Sequence, residues 1–203
     1  MPENNNLLMI VAIVAIVVAV VNLGITINKV GDIMAITGFA TDTGTANLTI
    51  ESAASVSFVT SVINWGSGQV DEASTSATID SEGTMTNGLN WTTVSQGLTL
   101  QNDGNCNVTF TLTTSNVASA FIGGSAVTPT YKIKVTNNET NACGGTNSLS
   151  SYTEATGAAQ PACNNTGYSN TADAVDIDVQ LVIPEDALPG AKSSVITATA
   201  SCI

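Results

Sequence analysis

From residue 7 to residue 21 every side chain is apolar, and the run continues to Ile27 with only Asn22, Gly24 and Thr26 interrupting it. No charge follows Glu3 until Lys29. Coiled as an α-helix at 1.5 Å per residue, residues 7–27 measure about 32 Å, enough to cross the hydrocarbon core of a bilayer. Val and Ile are poor helix formers in water, but lipid or a protein core favours any segment whose backbone hydrogen bonds are internal. Three structures carry such a run: a cleaved signal peptide, a permanent membrane anchor, and a helix around which subunits assemble. No basic residue precedes the run and no small-x-small cleavage site follows it, so the helix is expected to be retained.

The apolar pattern goes on through Val30, Ile33, Met34 and Ile36. A filament core wants that continuation, whereas a lipid-spanning helix has no need of it. Residues 1–36 are therefore read as a helix for a filament core or membrane anchor, with Leu7, Ile10, Val14, Val17, Val21 and Ile25 as its core residues. Charge is silent on orientation, because Glu3 stands on one side and Lys29 is offset by Asp32 on the other.

Orientation comes from the rest of the chain. N-x-S/T sequons occur at Asn47, Asn90, Asn107, Asn138 and Asn164, candidates for N-linked glycans. Cys106, Cys143, Cys163 and Cys202 form an even set without a C-x-x-C pair, which favours disulfides over zinc. Three pairings are open; the favoured one joins Cys143 to Cys163 across a polar loop and Cys106 to Cys202, tying a central strand to the last. Closing the shorter loop restricts the unfolded chain by about 3 kcal/mol. Sequons and paired cysteines together place this part outside the cell.

The formal net charge of −12 repels a phosphate backbone, and the cations are only Lys29, Lys132, Lys134 and Lys192, so nucleic acid is excluded as a partner. With no histidine and no arginine, the chain lacks the commonest general base, the commonest metal ligand and the bidentate anion clamp. No serine or threonine has an evident activator, so no enzyme, no catalytic residue and no cofactor are expected. Asp176 and Asp178, with Glu185 and Asp186 beyond them, offer carboxylates for calcium; without a D-x-[DN]-x-[DN]-G loop they read better as solvated acids opposite an apolar strand face, and no metal is expected. Trp65 and Trp91 suit a sugar platform, but each sits beside a strand end, where core or rim packing accounts for it.

A hinge over residues 37–45 leads to a β-domain over 46–203. Strands are expected at 46–52, 55–64, 77–80, 98–101, 108–113, 130–135, 175–183 and 194–200. Period-2 alternation is plain where Val108, Phe110 and Leu112 share a face, as do Tyr131, Ile133 and Val135, and Ile177, Val179, Leu181 and Ile183. Turn signals separate the strands, with Asn102-Asp103-Gly104-Asn105 the clearest hairpin. Residues 141–170, mostly Gly, Ser, Thr and Asn, read as a stapled surface loop. The fold class is an N-terminal long α-helix plus all-β, an immunoglobulin-like antiparallel β-sandwich.

The stretch ITGFATDTGTANLTIESAASVSF after an apolar helix, then INWGSG, GLTLQNDGN, FIGG and IPEDALPGAKSSVITATA, resembles surface proteins of small-genomed archaea that carry an N-terminal helix and an immunoglobulin-like domain. The plan is also similar to that of archaeal type IV pilins and archaellins, whose apolar N-terminal helix packs in the filament core while a β-sandwich faces outward. Those precursors have a basic and a small residue just before the apolar run, where this chain has Pro2, Glu3 and three asparagines. The resemblance implies an extracellular, cell-surface filament subunit for adhesion, cell contact or motility, which associates with itself through the helix and resides in the membrane before assembly. The alternative is a single-pass, membrane-anchored surface or S-layer-like adhesin that does not polymerise.

Overall fold

The computed structural model describes residues 4–36, 45 and 48–203, with side chains at 6, 8–27, 45 and 48–203. The chain divides into two compact units, Met1–Thr49 and Ile50–Ile203.

The first unit carries helix α1, Asn4–Ile36, which continues past Ile27 through the second apolar stretch. Its few polar side chains do not break it: the Thr26 hydroxyl donates to the Asn22 carbonyl one turn back, at 2.8 Å, and so needs no water. The hinge proposed at 37–45 lies, except for Thr45, outside the described residues.

The second unit is built of antiparallel strands: β1 (Val56–Thr60), β2 (Gln69–Val70), β3 (Ser76–Asp80), β4 (Met85–Thr86), β5 (Gly88–Leu89), β6 (Leu98–Asn102), β7 (Val108–Thr114), β8 (Thr130–Asn137), β9 (Thr153–Glu154), β10 (Gln160–Thr166), β11 (Ala174–Pro184) and β12 (Ile196–Cys202), with one helical turn, α2 (Ala118–Phe121), between β7 and β8. The chain is thus an apolar helix plus an all-β body. In the larger sheet β11 is central: β8 pairs along one edge, and β6 and then β3 pair along the other. β1 lies outside β6, β4 outside β3 and β9 outside β8. A second sheet has the order β10-β7-β12, and β2 and β5 form a small ribbon.

Alternation explains why these segments are strands. In the β8–β11 ladder Tyr131 faces Leu181, Ile133 faces Val179 and Val135 faces Ile177, and all six are buried, while the residues between them turn outward. In the smaller sheet Phe110 and Leu112 of β7 point inward, with Ala198 and Ala200 of β12 beside them. One hydrophobic cluster joins these two sets of side chains. Each large aliphatic or aromatic side chain in it contributes about 1.5–3 kcal/mol by leaving water.

Three expectations are corrected. The segment Asn102-Asp103-Gly104-Asn105 is not a hairpin: β6 belongs to the larger sheet and β7 to the smaller, so the chain crosses between sheets there. The Asn102 side chain determines the crossing, donating from Nδ2 to the carbonyls of Cys106 (2.9 Å) and Gly167 (2.8 Å) while Oδ1 accepts from Gly104 N–H. Residues 141–170 are stapled but are not merely a surface loop, because they supply β9 and β10 and bury Leu149, Ala155 and Ala162 in the core. The strand expected at 46–52 joins no ladder among its described residues, 48–52, where Leu48 and Ile50 are 84% and 78% exposed.

Candidate functional sites

Helix α1 is the first candidate. Over Leu8–Ile27 its mean hydropathy is 3.0 and none of it is buried. Ile10, Val14, Val17, Val21 and Ile25 are all more than half exposed, and so are Leu8, Met9, Ile16 and Val20 on other sides of the helix. The apolar surface therefore runs around the whole circumference instead of forming one stripe. By length and composition the helix is able to cross a membrane, as an anchor or a signal sequence does. Leu7 is helical, and its side chain lies outside the described residues.

An acidic recess of about 310 Å³ on the outer face of β11 is the second candidate. Asp176 and Asp178 alternate with the core residues and so project together from the sheet. Asp178 is nevertheless only 6% exposed, because neighbouring loops close over it. Ser81 Oγ donates to its Oδ1 at 2.9 Å and accepts from Val179 N–H at 3.0 Å. Lys134, opposite Asp178 in the β8–β11 register, reaches Glu82 at 2.6 Å and Asp178 at 3.9 Å, with its ammonium 4.7 Å from the centre of the Tyr152 ring. Tyr152 in turn donates to the other Glu82 oxygen at 2.9 Å. Asp176 accepts from Thr99 Oγ1 and Asn138 Nδ2.

Burial raises the Asp178 carboxyl above the ordinary aspartate value, with the Ser81 bond and Lys134 working the other way. Glu82 is held below the usual range, first by its bond to Lys134. Tyr152 is pushed up by burial and by the Glu82 carboxylate. Since Ser81 is fully buried and Asp176 and Asp178 are occupied by side chains of the same body, the arrangement fastens loops to the sheet. Asp176 and Asp178 do share a face as the spacing predicts; Asp178 is buried, not a solvated acid, whereas Asp176 is half-exposed. Asp186 stands apart, capping the backbone N–H groups of Ser125 and Ala126. Among the described residues no group of three or more acids or cysteines stands together as a metal site. Residue spacing gave no warning of the Ser81–Asp178 and Glu82–Lys134 pairs, which are far apart in the chain; the Lys132/Lys134 and Asp176/Asp178 spacing was the one available hint.

The third feature is an open cleft of about 1070 Å³ in the β-body. Trp65 and Trp91 line it, packed partly into the core. Trp65 donates from Nε1 to the Asp80 carbonyl at 3.1 Å, and Trp91 lies against Gly68, where an added Cβ would come within 2.5 Å of the ring.

The cysteines are joined as Cys106–Cys202 and Cys143–Cys163, with Cα separations of 5.7 and 5.8 Å. Two disulfides point to an oxidising compartment. The sequons differ in access. Asn90 is exposed in a left-handed turn (φ 65°). Asn164 is exposed and accepts from Thr146 N–H through Oδ1. Asn138 is exposed but bonded to Asp176, and Asn107 is half-buried with its amide donating to Asn165. Asn47 lies outside the described residues.

Compared with protein-family models, with curated proteins and with solved structures, the chain matches none.

Proposed function

We propose that this chain is a structural subunit of an extracellular archaeal filament, pilus-like or archaellum-like, serving adhesion, cell contact or motility. One observation carries the reading. The 33 residues of α1 measure about 50 Å along the axis, well beyond the roughly 30 Å that a bilayer core needs. The apolar surface that encircles the first two-thirds suits packing by copies of itself as well as it suits lipid, so the extra length is what favours the filament. Lipid holds the helix before assembly, and the β-body faces outward, where its disulfides and N-linked glycans belong. Two antiparallel sheets sharing one core support an immunoglobulin-like sandwich for that body.

A second reading has its own support: Leu8–Ile27 alone matches the bilayer core, as in a membrane-anchored surface adhesin that stays monomeric. Mechanical shearing separates the two. A filament subunit is released into the supernatant and pellets at high speed without detergent. Recovery solely in the detergent-extracted membrane fraction would contradict the filament.

A further inference from the structure

The cleft in the β-body has the form of a missing strand. Its floor is made of core side chains, among them Ile79, Leu98, Tyr131, Val179 and Leu181. Its walls are residues 61–64, which follow β1, and residues 188–195, which precede β12. Among the described residues β1 pairs only with β6 and β12 only with β7, so each is an edge strand of its sheet. The walls belong to no ladder and expose Val62, Leu188 and Val195 at 71%, 73% and 63%; the Val195 backbone is bonded to Ser115 and the Ser193 carbonyl to Asn116, so the backbone open to a partner is that of residues 61–64 and 188–192. An apolar floor beside two edge strands is a surface to which an extended segment can add.

The same chain carries a segment, residues 48–50, that joins no ladder among the described residues, although Asn105 holds Glu51 and Ala53 just after it. Leu48 and Ile50 alternate with Thr49 and Glu51, the period of a half-buried strand, and both apolar side chains are exposed. Ile50 cannot fill the cleft of its own body, because Asn105 binds the Glu51 carbonyl and the Ala53 N–H at the end of β6 remote from Leu98. Charge fits a second copy as well: Lys192, one of only four lysines in the chain, stands on the cleft wall, and Glu51 follows Ile50. Glu185 lines the cleft too, so the match is local to the Lys192 side.

We infer that the cleft receives the segment around Leu48–Ile50 of a second copy, placing Ile50 and Leu48 over the apolar floor and linking successive β-bodies. The inference rests on the filament reading, since α1 packing holds donor and acceptor together. The test is an engineered disulfide in full-length assembled protein, Ile50→Cys with Val62→Cys, and in a second variant Ile50→Cys with Leu188→Cys, one for each wall. After mild oxidation the double variants give a ladder of dimers, trimers and longer species on denaturing gels, with about a tenfold excess of oligomer over either single variant because neighbours are held at high effective concentration. Fibres that form and yield monomer from both double variants overturn strand insertion and leave the filament standing. Wild-type protein that forms no fibres overturns the filament, and insertion falls with it.

Discussion

Asn102 donates from Nδ2 to the Cys106 carbonyl at 2.9 Å, and this buried bond spans the point where the chain leaves one sheet for the other. The same amide satisfies the Gly167 carbonyl, so one side chain holds the β6–β7 crossover against the end of β10.

Removing that amide strands two acceptors. Asn102→Ala is expected to destabilise the protein by about 3 kcal/mol, the cost of leaving buried carbonyls unpaired plus a small cavity. Chemical denaturation measures it. Asn102→Asp should fall nearly as far, because its carboxylate cannot donate; a loss below about 0.5 kcal/mol for both would show that the crossover is held by something else.

The local chemistry at this point is what made it illegible as a crossover. An Asx turn through Gly104 serves a hairpin or a corner equally well, and the deciding contacts, Asn102 with Gly167 and Cys106 with Cys202, lie far along the chain. Where burial is one-sided and local alternation suffices, as in β7, β8 and β11, the strands are readable to within a few residues. β10 is not, because Gln160-Pro161-Ala162-Cys163-Asn164-Asn165 has no apolar alternation and its pairing with β7 slips register twice. The acidic recess is half legible: period 2 puts Asp176 and Asp178 together, but the burial of Asp178 comes with Ser81, Glu82 and Gly97, delivered by other segments. At Gly97 a Cβ would stand 2.6 Å from the Ile177 carbonyl, a close approach that a lone glycine in sequence does not announce.

Asp178 gives a pH signature. Burial raises its carboxyl above the ordinary 3.8, so between the two values the folded state binds more protons than the unfolded chain. Its stabilising contribution is complete below 3.8 and is lost as pH rises through the folded value. The melting temperature of Asp178→Asn minus that of the parent should therefore be more positive at neutral pH than at low pH. Glu82 works in the opposite direction, since its bond to Lys134 lowers its carboxyl, and because its charge also raises Asp178 the comparison is repeated in a Glu82→Gln background. An equal difference at both ends would mean that Asp178 is not desolvated in solution.

The disulfides should differ in weight. Cys106–Cys202 spans 96 residues and Cys143–Cys163 spans 20. Loop closure gives about 4.7 and 3.3 kcal/mol respectively, so the Cys106→Ala/Cys202→Ala variant should melt lower than the Cys143→Ala/Cys163→Ala variant. Calorimetry under non-reducing conditions decides; the reverse order would assign the larger share to native packing around Cys163.

Glycan occupancy should follow side-chain access. Asn90 and Asn164 present exposed amides, whereas the Asn107 amide is engaged by Asn165. In protein from its natural host, Asn90→Gln and Asn164→Gln should each lower the intact mass by one glycan, and Asn107→Gln should not. Loss of a glycan at Asn107 alone would reverse this ranking.

Assembly through α1 is tested most directly by imaging the sheared material and reconstructing the fibres at a resolution that shows helices. The filament reading predicts a core of packed α1 helices, with Ile10, Val14, Val17 and Val21 meeting neighbouring copies and the β-bodies arrayed outside. Particles in which each α1 is wrapped only by lipid or detergent, with no helical polymer in any fraction, would contradict it.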